Sequence, residues 1–180
     1  MNSTVSKLWQ DGGYGHYSRQ DGMYLDLLKK LLPNFKGGKV LEIGPGTGVF
    51  AERLIDSYDI TDYTILDLEK NIFDSVKRLQ NKKINLDHIF SQNYKDLFGR
   101  KFDIIIANVV IPETPKEYRE DLLNNVIPNC NSAFIIGQLT GPWVNGDEYK
   151  NWILDLFDSN YSNVHYELTS YKRCHVLTGS

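Results

Sequence analysis

Cysteine is scarce in this sequence: only Cys130 and Cys174 occur among 180 residues, and the four histidines are scattered. That spacing offers no metal-ligand set and no disulfide framework, so no metal is expected and a reduced, cytoplasmic setting is the expectation. Long apolar runs are missing as well. The longest, Ile104–Val110, falls far short of the roughly 20 residues of a membrane helix, so a membrane is not an expected partner. The opening residues contain no basic stretch followed by an apolar one, so they do not read as a secretory leader. There is no excess of positive charge either. Twenty Lys+Arg against 23 Asp+Glu leave a net charge of −3, which lacks the electrostatic footprint of a dedicated nucleic-acid binder. The one basic cluster, Lys77, Arg78, Lys82 and Lys83, reads as a solvated helix end.

What is present is ordinary for a globular chain, with 41% hydrophobic and 24% charged residues and no repeat, linker or low-complexity tract. One domain over residues 1–180 is expected, with 1–38 as an N-terminal helical or lid segment and 39–180 as the core. From Val40 onward, short β-branched runs alternate with stretches of helical period, the pattern of an α/β sheet built from crossover units. Strands are predicted at Lys39–Ile43, Tyr63–Asp67, Asp87–Phe90, Phe102–Asn108, Ala133–Gln138, Val164–Ser170 and Arg173–Leu177. Helices are predicted at Thr47–Ser57, Glu69–Leu79, Pro115–Val126 and Gly146–Asp158, with a weak turn at Lys95–Phe98. Thr114, Pro115 and Glu117 read as a capping box for the third of these. Tyr149, Trp152, Ile153, Leu156 and Phe157 fall on one face of the fourth. Upstream, Ser18 and Asp21 suggest another capping box, followed by a Tyr24, Leu28, Leu31, Leu32 stripe. Only Tyr171 and Lys172 separate the last two strands, which suits a hairpin and makes one strand antiparallel.

The informative segment runs from Val40 to Leu54, an apolar strand passing through Gly44-Pro45-Gly46-Thr47-Gly48 into a helix. Dinucleotide binding needs Gly-x-Gly-x-x-Gly, and counting from Gly44 the third position is Val49. Pro45 also removes an amide that could bind phosphate, and no Lys-Ser or Lys-Thr pair follows, so the segment is not a P-loop. Asp67 closes the second predicted strand nineteen residues after Gly48. A carboxylate there can accept hydrogen bonds from both hydroxyls of a ribose. A tight strand-to-helix turn with no ligand is the bland alternative, and for Asp67 it is a helix cap.

Here the sequence resembles the class I S-adenosylmethionine-dependent methyltransferases, over residue 39 to the end. The resemblance rests on Glu42-Ile43-Gly44-Pro45-Gly46-Thr47-Gly48, on Asp67, on Phe102-Asp103 opening a strand, and on the terminal hairpin. It implies a three-layer αβα Rossmann-like sandwich with a seven-stranded, mostly parallel sheet. It also implies S-adenosylmethionine as cofactor, held by Glu42, Gly44, Gly46, Gly48, Asp67, Leu68, Asn93, Tyr94 and Asn108. Asn93 departs from the family's usual Asp, though its side-chain oxygen can still accept from an adenine amino group.

The acceptor is expected over the loops after the fourth and fifth strands. The Asn/Asp-Pro-Pro-Tyr/Phe tetrapeptide of related amino methyltransferases would begin at Asn108, but Val109 and Val110 stand in place of its prolines. The reading is therefore methyl transfer to a small molecule, preferably onto oxygen. His16 is the expected general base, with Glu113 as second candidate, and Tyr14, Glu113 and Trp143 are expected to line the acceptor. The aromatic segment Trp9–Arg19 is expected to fold over the cofactor. His175 is expected to be a hydrogen-bonded structural histidine, and His88 and His165 peripheral. Two alternatives remain open: a non-catalytic scaffold that keeps the cofactor fold, and a dinucleotide-dependent oxidoreductase. A homo-oligomer is compatible with the sequence, since acceptor specificity must come from the leader and two loops or from a partner subunit.

Overall fold

The computed structural model describes residues 24–139, 144–168 and 174–180, apart from the side chains of Lys70 and Cys174. A helix (α1, whose described residues are 24–31) leads into β1 (Gly37–Ile43), α2 (Val49–Ser57), β2 (Asp59–Asp67), α3 (Glu69–Leu79) and β3 (Asn85–Phe90). A 3₁₀ segment, Ser91–Leu97, precedes β4 (Phe102–Asn108), and a second, Ile111–Glu113, precedes α4 (Lys116–Val126). A third, Ile127–Asn129, leads into β5 (Cys130–Gln138), followed by α5 (Gly146–Asp158), β6 (Val164–Leu168) and β7 (Cys174–Gly179).

The seven strands form one sheet in the order β3-β2-β1-β4-β5-β7-β6. All pairs are parallel up to β5, while β7 runs antiparallel to both β5 and β6. This is the expected architecture, including the single reversed strand. Its physical origin lies in the connections: each parallel pair needs a crossover, and the short link from β6 to β7 permits only a reversal. The central strands are buried on both faces, so β4 reads as a continuous apolar run with no alternation.

Two apolar layers sandwich the sheet. On one face Leu28 of α1, Phe50 and Leu54 of α2, and Ile72 and Leu79 of α3 pack over Val40, Tyr63, Ile65, Ile104 and Phe134. On the other, Leu122, Leu123 and Val126 of α4, and Tyr149, Ile153 and Phe157 of α5, cover Leu41, Ile105, Ile135 and Leu177. The α5 stripe is the one its spacing predicts, with Trp152 and Leu156 half-buried at its margin.

Two expectations need correction. Thr114 does not cap α4: its hydroxyl donates to the Ile111 carbonyl at 2.8 Å, closing the preceding 3₁₀ turn, and Pro115 occupies the cap position with no side-chain hydrogen bond. The short turn before the helix competes for the same hydroxyl and wins. Arg78 and Lys82 are not merely solvated either. Arg78 donates to the Thr47 carbonyl at 2.8 Å and pairs with Glu52, while Lys82 pairs with Asp56, which ties α3 to α2 and to the glycine turn. The Ser18/Asp21 capping box lies outside the described residues.

Candidate functional site

The chain order reverses between β1 and β4: from β1 it moves outward to β2 and β3, then returns to β4 on the other side. The crevice at the carboxyl ends of these strands is where an open α/β sheet binds its ligand. Gly44, just beyond β1, donates its N–H to the Leu66 carbonyl at 2.8 Å. It adopts φ 68°, and a side chain there would begin 2.7 Å from Val110, so the β1 turn can lie against the segment after β4 only as glycine. Gly46, at the tip, faces nothing within 4 Å, leaving room for a ligand to approach the backbone. Gly48 opens α2.

Glu42 is fully buried in β1, aligned with Ile65 and Ile106, and accepts a 2.8 Å hydrogen bond from the Tyr63 hydroxyl. Burial, then the adjacent carboxylate, pushes the Tyr63 hydroxyl well above its usual range, which keeps it a donor. No local pattern marks Tyr63 as the group that holds Glu42. Asp67 ends β2, where its Oδ1 accepts from the Leu68 N–H at 2.6 Å and from the Asn71 amide at 3.1 Å. These two donors fix the orientation of the carboxylate at the strand end.

Across the crevice, Asn93 is exposed in the 3₁₀ segment after β3. Tyr94 is half-buried: its ring lies 4.5 Å from that of Tyr118, and its hydroxyl donates to Asp121. Tyr118, an α4 residue not picked out in the sequence, donates to the Ser91 carbonyl at 3.1 Å. Burial chiefly, then Tyr94 and Asp67, raises its hydroxyl pKa.

The β4 side differs in character. The Asn108 Oδ1 is buried with no hydrogen-bond partner among the described residues. Val109 takes φ 65°, a left-handed conformation that is rare for a β-branched residue, while its N–H donates to the Ile136 carbonyl at 2.7 Å. Glu113 follows in the 3₁₀ turn, mostly buried and with no hydrogen bond or ion pair to a described residue. Burial raises its pKa to about 7.

His175 corrects an expectation. It is completely buried in β7, yet neither ring nitrogen has a hydrogen-bond partner among the described residues, and burial lowers its pKa to about 4. His88 and His165 are exposed on the edge strands, as expected. Tyr14, His16 and Trp143, and the Trp9–Arg19 segment, lie outside the described residues. Among the described residues no cluster of His, Cys, Asp or Glu could hold a metal ion, and no helix is long and apolar enough to cross a membrane. An open cleft lined by Lys29, Phe35, Lys36, Asp56 and Tyr58 sits where β2 begins, at the opposite edge of the sheet, and shares no residue with the crevice.

Comparison with known proteins supplies the family. Residues 14–124 match a family model described as a methyltransferase domain. The chain is 30% identical over 109 residues to a ribosomal RNA small subunit methyltransferase A of Blochmanniella pennsylvanica, an alignment covering 58% of this chain and 39% of that protein. It is 32% identical over 69 residues to a malonyl-[acyl-carrier protein] O-methyltransferase of Ilyobacter polytropus, covering 38% of this chain and 27% of that protein. The chain thus spans well under half the length of these curated relatives. Among solved structures, magnesium protoporphyrin IX methyltransferase from Synechocystis, with S-adenosylmethionine bound, superposes with a TM-score of 0.67 at 16% identity, covering 98% of this chain and 91% of that one.

Proposed function

The chain belongs to the methyltransferase-domain family, and from that premise we propose that it transfers the methyl group of S-adenosylmethionine to a small-molecule acceptor, onto oxygen. The observation that carries this reading is Glu113, a carboxyl with no partner among the described residues and raised to about 7 by burial, placed three residues after Val110, which packs on Gly44. The residues present fit the cofactor. The open face of Gly46 leaves space for it, the oriented Asp67 carboxylate suits ribose hydroxyls, and the orphaned Asn108 Oδ1 is an acceptor awaiting a donor. Glu42 supports the turn from beneath, and Leu68, Asn93 and Tyr94 flank the β2 and β3 ends where the adenosine portion would lie.

Bound S-adenosylmethionine supplies a methyl group already activated on sulfonium, so the protein's task is mainly in-line positioning. Glu113 then has one chemical role. With its pKa raised toward neutrality, part of it is ionised at pH 7, and the carboxylate can take the proton that an acceptor hydroxyl loses as its oxygen is methylated. We assign this role to Glu113, with His16 as the alternative base. A small molecule is favoured over RNA because Val109 and Val110 replace the prolines of the amino-methylating tetrapeptide and the net charge is −3. The ribosomal RNA relative makes RNA the second reading.

Calorimetry with S-adenosylmethionine and its demethylated product tests cofactor binding, and Asp67→Ala should weaken it by about 1–3 kcal/mol. Methyl-radiolabelled cofactor added to a cell extract then reports the acceptor. Label in a small-molecule fraction is expected. Label in RNA would replace the small-molecule reading, and no transfer at all would favour a scaffold that binds cofactor without turnover.

A further inference from the structure

Four buried polar atoms without a hydrogen-bond partner among the described residues lie together beneath α5: His175 Nδ1 and Nε2, Tyr149 Oη and Tyr166 Oη. The Tyr166 ring stacks on His175 at 5.6 Å, and the Tyr149 ring lies 5.7 Å from it. His175 Nε2 and Tyr149 Oη converge over Gly137, near the carboxyl end of β5. Each lies within 3.2 Å of the point where a Gly137 side chain would begin, so glycine there admits both groups. Buried polar groups are ordinarily paired, so four orphaned atoms gathered in one place call for a partner. They mark a place where a polar group belongs.

The surroundings indicate its charge. The Arg119 guanidinium lies 5.5 Å from the Tyr149 ring centroid, and the Lys150 ammonium 5.2 Å from that of Tyr166. Glu148, the carboxylate next to Tyr149 in sequence, is exposed and engaged by Lys116. Neutral His175 and the two tyrosines provide three donors between two cations, and the complement of that set is an oxygen-rich anion. Arg119 Nη1 also donates to the Thr114 carbonyl at 3.1 Å, next to Glu113, which connects the cluster to the proposed base.

We propose that His175, Tyr149 and Tyr166 form a subsite for a carboxylate carried by the acceptor. Tyr149 and Tyr166 donate to its oxygens, and His175 donates through one ring nitrogen. The identification of the carboxylate's bearer as the methyl acceptor rests on the function proposed above. The subsite itself does not, since binding needs neither cofactor nor turnover.

Benzoate serves as the probe and benzamide as its neutral counterpart, titrated into the full chain by calorimetry while the His175 ring is followed by NMR. Benzoate should bind about tenfold or more tightly than benzamide and shift the His175 resonances. Tyr149→Phe, which removes only a hydroxyl, should weaken benzoate by about tenfold while leaving the melting temperature close to that of the wild type. His175→Phe should abolish the preference for benzoate. Equal binding of the two probes, no binding of benzoate, or benzoate binding that Tyr149→Phe leaves unchanged would each overturn the proposal and leave the cluster to water only. Loss of methyl transfer with benzoate binding intact would instead count against the proposed reaction.

Discussion

The two halves of the carboxyl edge are built on opposite terms. On the β1–β2 side the polar groups are engaged: Glu42 takes the Tyr63 hydroxyl, Asp67 takes Leu68 and Asn71, and Arg78 ties the glycine turn to α3. On the β4–β5–β7 side they are left waiting, with an Asn108 oxygen and a buried histidine that have no hydrogen-bond partner among the described residues, a carboxyl at about 7, and a valine at φ 65°. A site preorganised for one recurring ligand can satisfy its own polar groups in advance, because they need only be aimed. One that must receive a proton and a variable acceptor keeps groups whose partners arrive with the substrate, and carries their cost meanwhile. The first half therefore fits cofactor binding and the second fits chemistry and specificity.

The largest expected effect tests that division directly. Glu113→Gln should slow methyl transfer by about 10²–10⁴-fold and remove the rate limb near pH 7, with cofactor affinity by calorimetry unchanged. Asp67→Ala should do the reverse, weakening affinity more than it slows transfer at saturating cofactor. If Glu113→Gln weakened cofactor binding and spared the rate, the two halves would not be separate in function.

That division also explains which parts of the site could be read in the sequence. The glycine turn was legible because a sharp turn from strand to helix leaves few residue choices, and Asp67 because the strand length fixes where a carboxylate can emerge. The sheet was legible because buried parallel strands such as Ile104–Ala107 must be uninterrupted apolar runs. By contrast, Tyr63, Tyr118 and Arg119 reach the site across strands and helices far apart in the chain, and no local pattern records that. Val109 carries no glycine-like signal for its left-handed backbone, which the Val109–Ile136 hydrogen bond and the Val110–Gly44 contact hold in place. Thr114 and His175 depart from what their sequence context predicts for one reason: local sequence shows which hydrogen bonds a side chain can make, while packing decides which it does make.

A second effect, of about 3 kcal/mol at most for each group, lies in the pH dependence of stability. Burial lowers folded His175 to about 4 against an ordinary 6.5, so the unfolded state binds the extra proton and stability is lost as pH falls from 6.5 to 4. Glu113 has the opposite sign. Its folded pKa of about 7 exceeds the ordinary 4.5, so its contribution is fully present below 4.5 and is lost as pH rises through 7. Between 4.5 and 6.5 the two slopes cancel. Denaturant unfolding of the wild type should therefore vary little across this window. Stability of Glu113→Gln should rise with pH there, and that of His175→Phe should fall. Asp62, Asp121 and Glu148, all lowered by hydrogen-bonded partners, act below this range. Parallel curves for wild type and both variants would mean that these two groups are not buried as the waiting half requires.

The smallest effect concerns the backbone of that half. A left-handed residue with a branched Cβ costs about 1–2 kcal/mol, and glycine removes that cost while adding unfolded-chain entropy worth about 0.5–1 kcal/mol. Losing the partly buried valine side chain, which packs against the core, offsets the remainder, so Val109→Gly should change the stability of the fold by no more than about 1 kcal/mol, about 2–4 °C in melting temperature for a domain of this size. The same change loosens the link between Asn108 and Val110, which holds the end of β4 against Gly44. Turnover should fall while cofactor affinity stays within twofold, because the engaged half does not rely on Val109. A variant that was both more stable and fully active would show that the strain at Val109 does nothing for the reaction, and would remove the backbone from the contrast between the two halves.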